Sequence, residues 1–202
     1  EGQIEELRHT YNAARPESSY VSSISGKTAS LYATSARIGG LVAGFPRDTV
    51  DQLTEYGEAF GMAFQVVDDI LDITATDSQL GKPAGHDMVE GVYTLPVLRT
   101  LQGGGVAAAE LLALLGKPLD HAERDKALQV VRGNGGVQAA LVTAREWVDR
   151  AVRACDGFLA TTEPLAAAER SGVPAFVVRN GLGERALAVS ETLLSALSKT
   201  CA

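Results

Sequence analysis

The sequence predicts an all-α protein, and three observations carry that prediction. Alternating period-2 runs are scarce, while Ala, Leu, Glu and Arg dominate the long segments. The breaks between segments are Gly and Pro clusters, "FPRD" at 45–48, "SQLGKPAG" at 78–85 and "QGGGV" at 102–106. The 202 residues are 46% hydrophobic and 21% charged, an ordinary balance for a domain able to bury a core. Residues 1–202 therefore read as one all-α domain.

The elements follow in order. A helix over about 1–14 is broken near Pro16. A second, over about 17–44, carries Ala29, Ser30, Ala33, Ala36, Gly39 and Gly40, small residues suited to close packing. Asp48 is placed as the N-cap of a third helix over about 49–75. Further helices are expected over about 86–101, 106–115, 120–132 and 136–160. The stretch 164–199 has a helical pattern interrupted by Pro174 and by Gly181 and Gly183. Trp147 with Val148 and Val152 reads as helix packing. No repeat or low-complexity segment stands out.

Composition limits the partners. A formal net charge of -7 argues against nucleic acid, which calls for a basic surface. No apolar run approaches the ~18–20 residues of a membrane span, and no signal-peptide pattern is present. Cys155 and Cys201 fit no metal or disulfide pattern and read as reduced thiols of a cytoplasmic protein. The chain opens "EGQIEEL", without Met and already in helical pattern, so it reads as part of a longer protein.

The stretch "GMAFQVVDDILDI" at 61–73 raises a chemical question. Asp68, Asp69 and Asp72 stand among Phe64, Val66, Val67, Ile70, Leu71 and Ile73. On a helix Asp68 and Asp72 stack at i and i+4, and Asp69 and Asp72 are neighbours at i and i+3. Gln65 lies on the same stripe. Like charges so spaced cost only ~0.2–0.5 kcal/mol on an exposed face, so a solvated face is one reading. The apolar neighbours favour burial, and buried carboxylates need counter-charge. Lysines or a hard dication such as Mg²⁺, which takes oxygen ligands, would supply it. Lys27 on the preceding helix and Lys82 in the following loop make a mixed-charge site suited to a diphosphate.

"FQVVDDILD" followed by "GKPAGHDMVEGVYTLPVL" resembles the trans-isoprenyl diphosphate synthases (polyprenyl synthetases). The matched positions are Phe64, Gln65, Asp68, Asp69, Asp72, Gly81, Lys82, Gly85, Asp87, Gly91, Thr94, Leu95 and Pro96. "GKTASL" at 26–31 resembles the family's Lys-Thr helix, and "EGQIEEL" the helix before it. The resemblance covers about residues 1–100, with the rest matching only as helical pattern. The family's first aspartate-rich motif is absent, so the chain reads as the C-terminal part of such a synthase.

The resemblance implies an isoprenoid synthase-type helical bundle, here lacking its N-terminal helices. It implies a Mg²⁺-dependent prenyltransferase that condenses isopentenyl diphosphate with an allylic diphosphate into a longer trans-polyprenyl diphosphate such as farnesyl or geranylgeranyl diphosphate. The implied metal ligands are Asp68, Asp69 and Asp72, the last through coordinated water. Lys27, Thr28, Gln65 and Lys82 would contact the allylic diphosphate. Asp87 would orient Lys82 or its loop, with N-cap of the next helix as the alternative. His86 reads as structural or solvated, and His9 and His121 carry no signal. A homodimer is implied by analogy. The rival readings are a class I terpene cyclase and a non-catalytic or regulatory subunit.

Overall fold

The computed structural model describes the backbone of residues 1–76 and 83–159, and side chains as far as Cys155. Among these residues there is no strand, and nine α-helices follow one another. They are α1 (Gly2–Arg8), α2 (Glu17–Ile24), α3 (Ser30–Val42), α4 (Arg47–Thr74), α5 (His86–Val89), α6 (Leu95–Gln102), α7 (Gly105–Leu114), α8 (His121–Gly133) and α9 (Gly136–Leu159). The expected helical stretch 164–199 and most of the 78–85 loop, Lys82 included, lie outside the described residues.

Several boundaries differ from expectation, each for a physical reason. The first helix stops at Arg8 rather than near 14. Tyr11 turns to a φ of 58° and gives its N–H to the Gly91 carbonyl at 2.8 Å, so a distant partner takes an amide that helix 1–14 would have used. The 17–44 helix is interrupted by a π turn over Ser25–Ala29. Asp48 sits in the first turn of α4, not at its N-cap. The 86–101 helix is two helices. Gly91, at a φ of 77°, ends the first, and Thr94 and Pro96 start the second. The 120–132 helix forms as read. Asp120 accepts from the Glu123 N–H at 2.9 Å and Glu123 accepts from the Asp120 N–H at 3.1 Å, a reciprocal capping box.

The chain forms two compact units, each discontinuous in sequence. The first joins Glu1–Lys27 to Phe64–Ala144. Here α1 packs on α2, α2 on α6, and α6, α7 and α8 on one another. Tyr20, Val66, Ile70, Ile73, Met88 and Tyr93 are among its most buried side chains. Gly2 faces the Ser23–Lys27 backbone so closely that a Cβ would overlap the Ser23 carbonyl and the Lys27 amide. That contact fixes α1 against the π turn.

The second unit joins Thr28–Ala63 to the described residues that follow Ala144. Its centre is a close approach of α3 and α4. A Cβ on Gly57 would lie 2.6 Å from the Tyr32 carbonyl oxygen, and one on Gly61 2.6 Å from the Ala29 Cα. The small residues of α3 therefore do admit a neighbour. Gly40 does so too, against Leu53 and Val50, whereas Gly39 faces nothing within 4 Å. Trp147 is half-buried, with the Arg150 guanidinium 5.3 Å from its ring centre.

Candidate functional site

The aspartates lie near the C-terminal end of α4, and helix phase sends them to different places. Val66, Ile70 and Ile73 are buried, and Asp69 and Asp72 go inward with them at 3% and 4% exposure. Asp68, about 100° round the helix from Asp69, is exposed. The three do not share a solvated face.

Each inward carboxylate has partners. The Tyr20 phenol on α2 donates to Asp69 Oδ2 at 2.6 Å, and Gln65 Nε2 donates to Asp69 Oδ1 at 3.0 Å. Burial pushes the Asp69 carboxyl up to about 7, and the Tyr20 and Gln65 hydrogen bonds pull against that rise. The neighbouring Asp87 and Asp68 carboxylates add to it. Burial, and then Asp69, holds the Tyr20 phenol well above its ordinary range. Asp72 Oδ2 accepts the Asp87 N–H at 3.3 Å, and its main-chain carbonyl accepts the Gly85 N–H at 2.7 Å. Asp72 thus ties the start of α5 to α4. The N-cap of α5 is Gly85, at a φ of 71°, so Asp87 is not the cap.

Lys27 stands in the π turn, exposed, and forms an ion pair with Glu6 of α1 at 3.0 Å. Thr28 follows it in the same turn, a type of bulge frequent at functional sites. His86 is exposed and lines a cavity of about 200 Å³ with Asp120, His121 and Arg124. Gln65, Asp69, Asp72 and Asp87 are therefore brought together, with Asp68 beside them.

Three residues escaped sequence reasoning. Tyr20, a lone aromatic residue on α2, carries no motif. Arg15, 5% exposed, donates to Ser23 Oγ at 2.6 Å and lies with its guanidinium carbon 5.8 Å from the centre of the Tyr20 ring. Glu6 is one of two adjacent acidic residues on α1. None carries a local signal, since each acts across elements.

The donor chemistry fits a hard cation. All candidate ligands are carboxylate oxygens, and Asp68 presents one to solvent. Among the described residues no three His, Cys, Asp or Glu groups close round a metal position. Asp68 and Asp69 are the carboxylates that would hold such a cation.

The sequence profile described as polyprenyl synthetase matches residues 1–131 of the chain. The chain belongs to the polyprenyl synthetase family. Among its relatives, heptaprenyl diphosphate synthase component 2 of Geobacillus stearothermophilus is 38% identical over 156 residues, 77% of this chain and 48% of that protein. Nonaprenyl diphosphate synthase of Mycobacterium tuberculosis is 38% identical over 140 residues, 69% of this chain and 42% of that protein. The crystal structure of a polyprenyl synthase from Caulobacter crescentus, complexed with calcium and isoprenyl diphosphate, superposes with a TM-score of 0.74 at 30% identity. That match covers 86% of this chain and 54% of the other. The chain thus spans about half the length of the relatives it matches.

Proposed function

We propose that this chain serves in a Mg²⁺-dependent prenyltransferase that joins isopentenyl diphosphate to an allylic diphosphate. One observation carries the reading: α4 presents an exposed Asp68 beside a tethered, buried Asp69, in a chain matching the polyprenyl synthetases over residues 1–131. The calcium and isoprenyl diphosphate in the Caulobacter relative support it.

In the reaction the allylic C–O bond breaks and inorganic pyrophosphate leaves. The isopentenyl double bond attacks the allylic carbon, and a proton passes to the released pyrophosphate. Mg²⁺ held by Asp68 and Asp69, with Asp72 beside them, would supply positive charge to the leaving diphosphate. Lys27 adds an ammonium. It is partly exposed and pairs with Glu6 at 3.0 Å, so a diphosphate would compete with that carboxylate for it. Thr28, Gln65 and Lys82 donate to diphosphate oxygens, and Asp87 steadies the loop that carries Lys82. The apolar residues around the aspartates exclude water that would quench a carbocation.

A second reading is favoured by one observation. The Geobacillus relative is named a component of its synthase. Activity would then depend on a second, different chain rather than on a homodimer.

The test is chain elongation by the whole gene product, supplied with isopentenyl diphosphate, a set of allylic diphosphates and Mg²⁺, beside Asp68→Ala. Elongation is expected, with a loss of at least about 10²-fold in the variant, the scale of removing one transition-state donor. No elongation from a folded whole protein, alone or with a partner chain, would sink the reading.

A further inference from the structure

We propose that Tyr20 is a positioning residue of the aspartate site, its phenol fixing the Asp69 carboxylate so that Asp68 and Asp69 can take a divalent cation together. The inference rests on the prenyltransferase reading above.

The geometry is specific. Tyr20 is 2% exposed and donates to Asp69 Oδ2 at 2.6 Å. Gln65 fixes the other oxygen from one turn earlier on α4. With both oxygens held from two elements, the carboxylate cannot swing about its Cβ–Cγ bond. Each oxygen keeps a further lone pair, so the tether leaves room for a cation.

The phenol also has a support of its own. Arg15 is buried beside the Tyr20 ring and, among the described residues, forms no ion pair. It donates to the Ser23 hydroxyl at 2.6 Å and to the carbonyls of Ser19 and Tyr93 at 3.4 Å. A buried cation and a buried carboxylate each cost free energy unless something connects them. The phenol lies between the two, its ring near the guanidinium and its O–H on the carboxylate. Phenylalanine would keep the ring and its packing but leave Asp69 Oδ2 without this donor. The role is thus separable from the fold. Partners that orient metal-binding groups in this way typically change metal affinity or activity by about 10–100-fold when removed.

The experiment uses the whole gene product, with Mn²⁺ in place of Mg²⁺ and inorganic pyrophosphate as the anion. Free Mn²⁺ is read by electron paramagnetic resonance for the natural protein, Tyr20→Phe, Asp69→Asn and the double variant. Tyr20→Phe should keep its helical circular dichroism and bind Mn²⁺ about 10–100-fold more weakly. Its kcat should fall with KM for isopentenyl diphosphate unchanged. The double variant should bind no more weakly than Asp69→Asn alone, since Tyr20 acts through Asp69. Three outcomes overturn the proposal: unchanged Mn²⁺ binding in Tyr20→Phe, effects that multiply in the double variant, or a Tyr20→Phe protein that does not fold. A natural protein that neither binds Mn²⁺ nor elongates would instead remove the prenyltransferase reading itself.

Discussion

Asp69 shows how far the surroundings can change one residue. In an unfolded chain its carboxyl titrates near ~3.9, whereas burial in the native protein lifts it to about 7. Between those values the native state holds a proton that the unfolded state has released. Stability therefore falls as pH rises through that window, and the charged form costs on the order of 4 kcal/mol above it. Urea unfolding of the metal-free protein at pH 5 and pH 8 checks this. The natural protein should lose stability between the two pH values, and Asp69→Asn should lose much less. Equal losses in both would show that Asp69 is not the group responsible. The cluster itself was legible in the sequence as three aspartates in an apolar run, with a solvated face as the alternative. The split between exposed Asp68 and buried Asp69 was not. It is settled partly by Tyr20, 49 positions away, and no local pattern encodes that meeting.

Among elements, α4 shows how a helix end is finished from elsewhere. Its last turn contains no basic residue to meet the free carbonyls. Arg132 of α8 supplies the cation, donating from Nε to the Ile73 carbonyl at 2.6 Å and from Nη2 to the Ala75 carbonyl at 3.4 Å. Arg132→Ala should destabilise the protein by about 1–2 kcal/mol. The readout is the urea midpoint, with the slope unchanged. A shift below a few tenths of a kcal/mol would mean that water caps the helix equally well. Local signals predicted the α8 start correctly, because an Asp-x-x-Glu capping box is written within four residues. They failed at the end of α1, where Tyr11 leaves the helix for Gly91. They failed again at Gly91, whose positive φ splits one expected helix into two.

For the whole molecule, the all-helical fold was legible because periodicity and composition agree over long stretches. The division into two units was not. Each unit combines segments far apart in sequence, and α4 and α9 contribute residues to both. No described helix is long and apolar enough to cross a membrane. The homodimer proposed by analogy predicts twice the chain mass for the whole gene product in light scattering behind gel filtration. A single-chain mass, restored to a larger one by a second component, would favour the two-component reading.

The clasp between the first twenty residues and the middle of the chain also has a consequence in time. Tyr11 reaches the Val89 carbonyl and Arg15 the Tyr93 carbonyl, each across 78 positions, and Glu17 meets Arg99 across 82. During synthesis, α1 and α2 leave the ribosome long before these partners exist. At ~5–20 residues per second, the wait is roughly 4–16 s. Throughout it Tyr20 and Arg15 have no native burial site. Nascent chains halted before residue 90 should therefore expose that segment to protease, and chains long enough to release residue 99 should protect it.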